Sequence, residues 1–310
     1  MESGRFAVRA KVVVDASGDA DIAASAGAPF QLGSESDGRI QPVTLTFLLG
    51  NVDVERAQAY DRENPENRGF AREIALAKER GEIVDFPLDR LSSWRPMFSP
   101  GVIWLNATRV LGVNGTDPEQ VSRGLREGRR QVEMVVRFLR SYVPGFENAH
   151  LLYTALLLGV RETRRIVGEY MLTEEDEIAG RRLDDVVSRR VIVIDVHNPA
   201  GAGFKPIKLG DATFFDIPYR CLIPQKIDNL LVAGRCISTT HAAHGATRSI
   251  VGCTSLGQAA GTAAGLAVRR GETPRQLSVE ALQASLLEQH ALPGPPPVGL
   301  AESRDGVPRS

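Results

Sequence analysis

The stretch from Leu230 to Ala267, LLVAGRCISTTHAAHGATRSIVGCTSLGQAAGTAAGLA, constrains this chain more than any other, because its residue types suit one local geometry. Leu230, Leu231, Val232 and Ala233 form a short apolar run closed by Gly234, the pattern of a strand buried on both faces of a parallel sheet. Glycine at 234 lets a ligand approach the backbone amide, which a side chain would prevent. A helix is expected from about Ile250. Gly257, Gly261 and Gly265 recur every four residues, so their shared face is expected to lie almost against a neighbouring backbone. The amino end of that helix, near Arg248 to Gly252, presents unpaired amides and partial positive charge suited to a phosphate, a carboxylate or an anionic ring edge. Two blander accounts compete. Ser249 to Val268 has no charged residue and contains GxxxG, as a membrane helix with a dimerisation face does, but its Gly, Ala, Ser and Thr insert poorly. The other account is a buried core helix without a ligand.

With 310 residues the chain can hold two domains with sizeable cores. Its 37 basic and 38 acidic side chains leave a net charge of -1, which argues against nucleic acid or an anionic membrane surface as the main partner. Cys221, Cys236 and Cys253 are odd in number and never spaced as CxxC, which points to a reducing, cytoplasmic setting and away from a disulfide framework or tetrathiolate metal site. The start, MESGRFAVRAK, lacks the apolar core of a signal peptide.

Arg5 to Asp15 reads as a strand end, a bend and a buried strand at Val12, Val13 and Val14, stopping at Ala16-Ser17-Gly18-Asp19-Ala20-Asp21. That acidic turn is too short for a calcium loop. Ile22 to Ala28 is a short helix closed by Gly27 and Pro29, and Val43 to Leu49 is a strand entering a different region. Further helices are expected over Phe70 to Arg80 and from Asp117 to Tyr142, the latter with Asp as cap, Pro at the first position and Gln three on from the cap. Two brief strands lie between Trp94 and Val110. Thr173 caps a helix expected to reach about Arg189, and Val191 to His197 is a strand with Asp195 and His197 on one face, either a proton relay or a solvated strand end. His241 and His244 have an i, i+3 spacing but no third ligand nearby, so no metal is expected. No GxGxxG follows a first strand.

The segment from Ala233 resembles the C-terminal flavin-binding segment of FAD-dependent oxidoreductases with the glutathione-reductase-like fold. Its fumarate reductase and succinate dehydrogenase relatives run AGE, a spacer, HGANRL and then GxxAG; here stand Ala233-Gly234-Arg235, His244-Gly245-Ala246-Thr247-Arg248 and Gly257-Gln258-Ala259-Ala260-Gly261. Ser17-Gly18-Asp19 is similar to the family's ATGD turn, and Gly159 to Tyr170 resembles the GxRETRRIxGxY block of one branch. The resemblance implies FAD as cofactor, with Ser17, Gly18, Asp19, Gly234, Arg235, Gly252 and Gly257 at the cofactor and Arg248, His244 and Arg161 at the substrate. It also implies that the GxGxxG unit lies upstream of the strand at Val12, in a longer product or another polypeptide. For Arg161, beside Glu162, the competing account is a strand with an exposed ionic ladder.

The resulting expectation is an α/β chain: a partial Rossmann-like FAD domain from residues 1–42 and 215–290, a central α+β substrate domain over 43–214 and a disordered tail over 291–310. It would move a hydride between flavin and a small polar, carboxylate-bearing molecule. The reading from a different class is a non-catalytic subunit or remnant that needs a partner chain, or a homo-oligomer, to complete the FAD site.

Overall fold

The computed structural model describes residues 7–91, 93–192, 194–207, 210 and 214–291. In chain order the elements are β1 (Val13–Asp15), α1 (Asp21–Ser25), β2 (Phe30–Leu32), β3 (Phe47–Gly50), α2 (Val54–Glu63), α3 (Ala71–Glu79), β4 (Trp94–Pro96), β5 (Ile103–Leu105) and α4 (Pro118–Tyr142). They continue with β6 (His150–Thr154), β7 (Arg164–Ile166), α5 (Glu174–Ile178), β8 (Val186–Arg190), β9 (Ile194–His197), β10 (Phe204–Ile207), β11 (Phe215–Pro218), β12 (Leu230–Val232), α6 (His244–Thr247), α7 (Ile250–Arg270) and α8 (Val279–Glu288). The strand end read at Arg5 and the tail from Leu292 fall outside the described residues.

Two compact units divide the chain. The first gathers residues 1–36, 164–195 and 206–310; the second holds 37–163 and 196–205. The stretch 164–195 belongs with the first unit because β7 pairs antiparallel with β2 and β8 pairs antiparallel with β11.

In the first unit β1 and β12, more than 200 residues apart, run parallel, with Val13 opposite Leu230, Val14 opposite Leu231 and Asp15 opposite Val232. Leu231 and Val232 are fully buried, each contributing on the order of 2 kcal/mol through apolar surface removed from water. Helix α7 packs on β8, α8, β1 and β12 through Leu256, Ala259, Ala260, Ala263 and Ala267. Its glycine face behaves otherwise than its spacing predicts. A β-carbon at Gly257 or Gly261 would meet nothing within 4 Å, and at Gly265 only the guanidinium of Arg269. The buried stripe is alanine and leucine, and the glycines lie on the other side of the helix.

A second difference concerns α5. The Thr173 capping box forms as expected, but the helix ends at Ile178, where Gly180 turns the chain at φ 59°, and residues 186–190 are a strand. Four acids in the first turn strengthen the start, while nothing apolar continues the helical period past Gly180.

In the second unit the strands β4, β5, β3 and β6 form one antiparallel sheet. Helix α4 lays Val132, Val135, Phe138 and Leu139 into a core with Leu45, Phe47, Leu49, Ile74, Ile103 and Leu105. Its start follows the expected chemistry: Asp117 accepts from the amides of Glu119 and Gln120, and Pro118 takes the first helical position. Gly128 brings α4 within van der Waals reach of Leu45, since a β-carbon there would stand 3.0 Å from that of Leu45.

Candidate active site

Every residue of the expected cofactor and substrate set except Arg161 lies in the first unit. Its centre is Asp15, a residue that pattern reading passed over as the mere end of a strand. Asp15 is buried, and its Oδ1 accepts from the amide of Ser17 at 3.0 Å and from the Ser17 hydroxyl at 2.7 Å. Its Oδ2 accepts from the amide of Ala23 at 2.8 Å, tying the turn to α1. The Ser17 hydroxyl also accepts from the amide of Asp21 at 3.0 Å. The turn thus holds Gly18, at φ 81°, in a conformation that glycine adopts freely. An aspartate directly after three valines was the available signal, because Asp side chains fold back onto the amides that follow them.

The turn after β12 faces the turn after β1. Arg235 Nη2 donates to Asp19 Oδ1 at 2.5 Å, and a β-carbon on Gly18 would stand 2.7 Å from Arg235 Nη1. Gly234, at φ 97°, has open space where its side chain would be. The two turns therefore meet beyond the carboxyl ends of two parallel strands, the place where ligands of open α/β sheets sit.

Arg248 ends α6, and Ser249 opens α7 without making a side-chain cap to it, so the first amides of α7 lack a side-chain acceptor from that residue. Arg248 Nη2 donates to the carbonyl oxygen of Asp195 at 3.1 Å and to its Oδ2 at 3.2 Å. That reach depends on Gly245, where a β-carbon would stand 2.8 Å from the Asp195 carbonyl oxygen. His244, at the start of α6, is fully buried. At Gly252 a β-carbon would overlap the guanidinium of Arg190, itself 5% exposed.

Other expected roles resolve differently. Asp195 bonds to Arg248, while His197 Nδ1 accepts from Arg109 Nη2 at 3.1 Å, so each has a partner of its own. Arg161 belongs to the second unit and donates to the Pro42 carbonyl at 2.6 Å, and Glu162 Oε2 accepts from the Gln41 amide. Arg165 of the same block is fully buried, donating to the carbonyls of Thr239 and Gly33 and to Glu35 Oε1, a structural clamp rather than an exposed ladder. Cys221 and Cys236 are sealed in the interior, which pushes their thiols upward, Cys236 to about 12; both are inert as nucleophiles. Cys253 is half-buried, and its thiol is also raised by burial, against the pull of Arg190, Arg235 and Arg248.

A family model described as FAD dependent oxidoreductase matches residues 1–286. The chain belongs to this family. No curated protein and no solved structure matches it. This FAD-dependent oxidoreductase mixes helices and strands in α/β fashion, and among the described residues no helix is long and apolar enough to cross a membrane. Its residues fit the cofactor: Gly234 leaves backbone open to a close ligand, and the uncapped amino end of α7 offers donors and positive potential.

Proposed function

We propose that this oxidoreductase moves a hydride between flavin and a small polar substrate bearing a carboxylate, in a partial Rossmann-like domain assembled around the β1–β12 pair. FAD, when bound, supplies the redox chemistry. The chain's own residues supply position and charge. Gly18 and Gly234 would let the cofactor approach their turns, with Asp19 and Arg235 beside them. The amino end of α7, at Gly252, would face the part of the cofactor that gains negative charge on reduction. Arg248 would grip the substrate carboxylate, with His244, at the other end of the short helix α6, nearby at the substrate. The single observation that carries this reading is the placement of Arg248 directly before Ser249, the residue that opens α7 without a side-chain cap, with Asp195 fixing its guanidinium. A guanidinium so anchored is pre-organised for a planar anion.

The experiment is anaerobic mixing of the FAD-loaded protein with small hydroxy acids and dicarboxylates while flavin absorbance is followed. Bleaching by one of them is expected, with Arg248→Ala losing it and keeping bound FAD. Loss of FAD from Arg248→Ala would assign that arginine to the cofactor instead.

A second reading, a subunit whose FAD site is completed by another chain or copy, is favoured by the open glycine face of α7 at Gly257 and Gly261. Colourless monomer that gains FAD only on association would support it.

A further inference from the structure

On the first unit, β8, α7 and the residues just after α8 line a half-open pocket of about 430 Å³ that the proposed reaction does not use. Val187, Val191, Phe214 and Val251 give it apolar walls, while Arg190 stands on its margin. The Ser188 and Ser255 hydroxyls meet at 2.7 Å along one side, already satisfied by each other and by the Gly252 carbonyl. Among the described residues that line it none is acidic.

Arg190 is the unusual member. It is only 5% exposed, yet among the described residues Nε and Nη2 have no hydrogen-bond partner. Glu177, a buried acid whose charge acts on Arg190, hydrogen-bonds through neither oxygen, and burial pushes its carboxyl up to about 10 against the pull of Arg190. A buried cation without a counter-charge is costly, and an anion from outside relieves that cost.

We propose that this cavity binds an amphipathic anion, a molecule with an apolar body against Val187, Phe214 and Val251 and a carboxylate or sulfonate head at Arg190. Two features carry it together: an apolar space of small-ligand size and a buried guanidinium lacking acceptors among the described residues. The proposal does not depend on the reading of Arg248 as substrate anchor.

The test uses the full chain and octanoate as probe. Calorimetric titration should show saturable one-to-one binding, with octanol binding at least about tenfold more weakly because it lacks the charge. Iodoacetamide labelling, read peptide by peptide, should slow at Cys253, next to Gly252, when octanoate is present; buried Cys221 and Cys236 serve as internal controls. Arg190→Gln should weaken octanoate about tenfold or more, Arg190→Lys should retain most of the affinity, and Ser255→Phe should abolish binding by filling the cavity with the arginine intact. Absence of saturable binding, equal affinity for octanol, or unchanged affinity in folded Ser255→Phe would each overturn the proposal. So would displacement of octanoate by FAD, which would make the space part of the cofactor site; unchanged FAD binding under saturating octanoate would keep the two sites separate.

Discussion

Gly245 lies so close to Asp195 that a β-carbon on it would stand 2.8 Å from that residue's carbonyl oxygen, 2.9 Å from its carbonyl carbon and 3.0 Å from its nitrogen. The obstacle is backbone, which cannot swing aside. Gly245→Ala should therefore part α6 from the strand at Asp195, lower stability by about 1–3 kcal/mol and loosen the Arg248–Asp195 bond. Thermal unfolding alongside Gly257→Ala, which meets open space, checks it: equal melting points for the two variants would remove the steric argument.

At Gly252 the obstacle is instead the end of a side chain. Gly252→Ala should destabilise the wild-type background by about 1–3 kcal/mol, because the Arg190 guanidinium is hemmed in. In an Arg190→Ala background the same change should be neutral or slightly favourable, since alanine suits a helix better than glycine. Denaturant titration of the four proteins in this cycle measures the coupling, and additive effects would disprove the contact.

Glu177 gives the chain a signed pH dependence. Burial raises its folded-state pKa from 4.5 to about 10, so below pH 4.5 both folded and unfolded forms are protonated and the residue costs nothing. Between those limits the unfolded chain releases a proton that the folded chain keeps, and stability falls with rising pH by up to about 1.4 kcal/mol per unit. Glu177→Gln, a mimic of the neutral acid, should match wild type near pH 4 and exceed it increasingly toward pH 8. Parallel stability curves across that range would show that Glu177 ionises normally in the folded protein.

Arg165 holds two backbone carbonyls and the partly exposed Glu35 from a fully buried position. Replacing it by methionine strands the carbonyls of Gly33 and Thr239, and a loss of about 2–4 kcal/mol is expected. Glu35→Gln should cost much less, because Glu35 can turn to water. Chemical denaturation ranks the two, and a larger loss for the glutamate variant would reverse the assignment of the clamp.

Local chemistry was legible where one residue settles one geometry. Asp117 with Pro118 announces the start of α4, and Gly234 after an apolar run announces the turn that follows β12. Composition could not say which of several like residues goes inside. Arg164 and Arg165 are neighbours, yet one is partly exposed against Asp21 and the other fully buried; strand alternation separates them only once β7 is known to lie on β2. The spacing of the α7 glycines suggests a contact face because small residues permit close approach, but permission is not attraction, and the alanine face holds the core. The meeting of Gly252 with Arg190 joins residues 62 positions apart in a sequence with no pattern between them.

The Asp15 carboxylate settles the shape of the Ser17-Gly18-Asp19 turn through three hydrogen bonds internal to the chain. A ligand arriving there meets a finished surface, so little conformational freedom remains to be lost on docking. Its capture rate should then be governed by diffusion and by the Asp19–Arg235 field at the two turns rather than by loop rearrangement, and should respond to ionic strength more than to solvent viscosity agents that slow only internal motion.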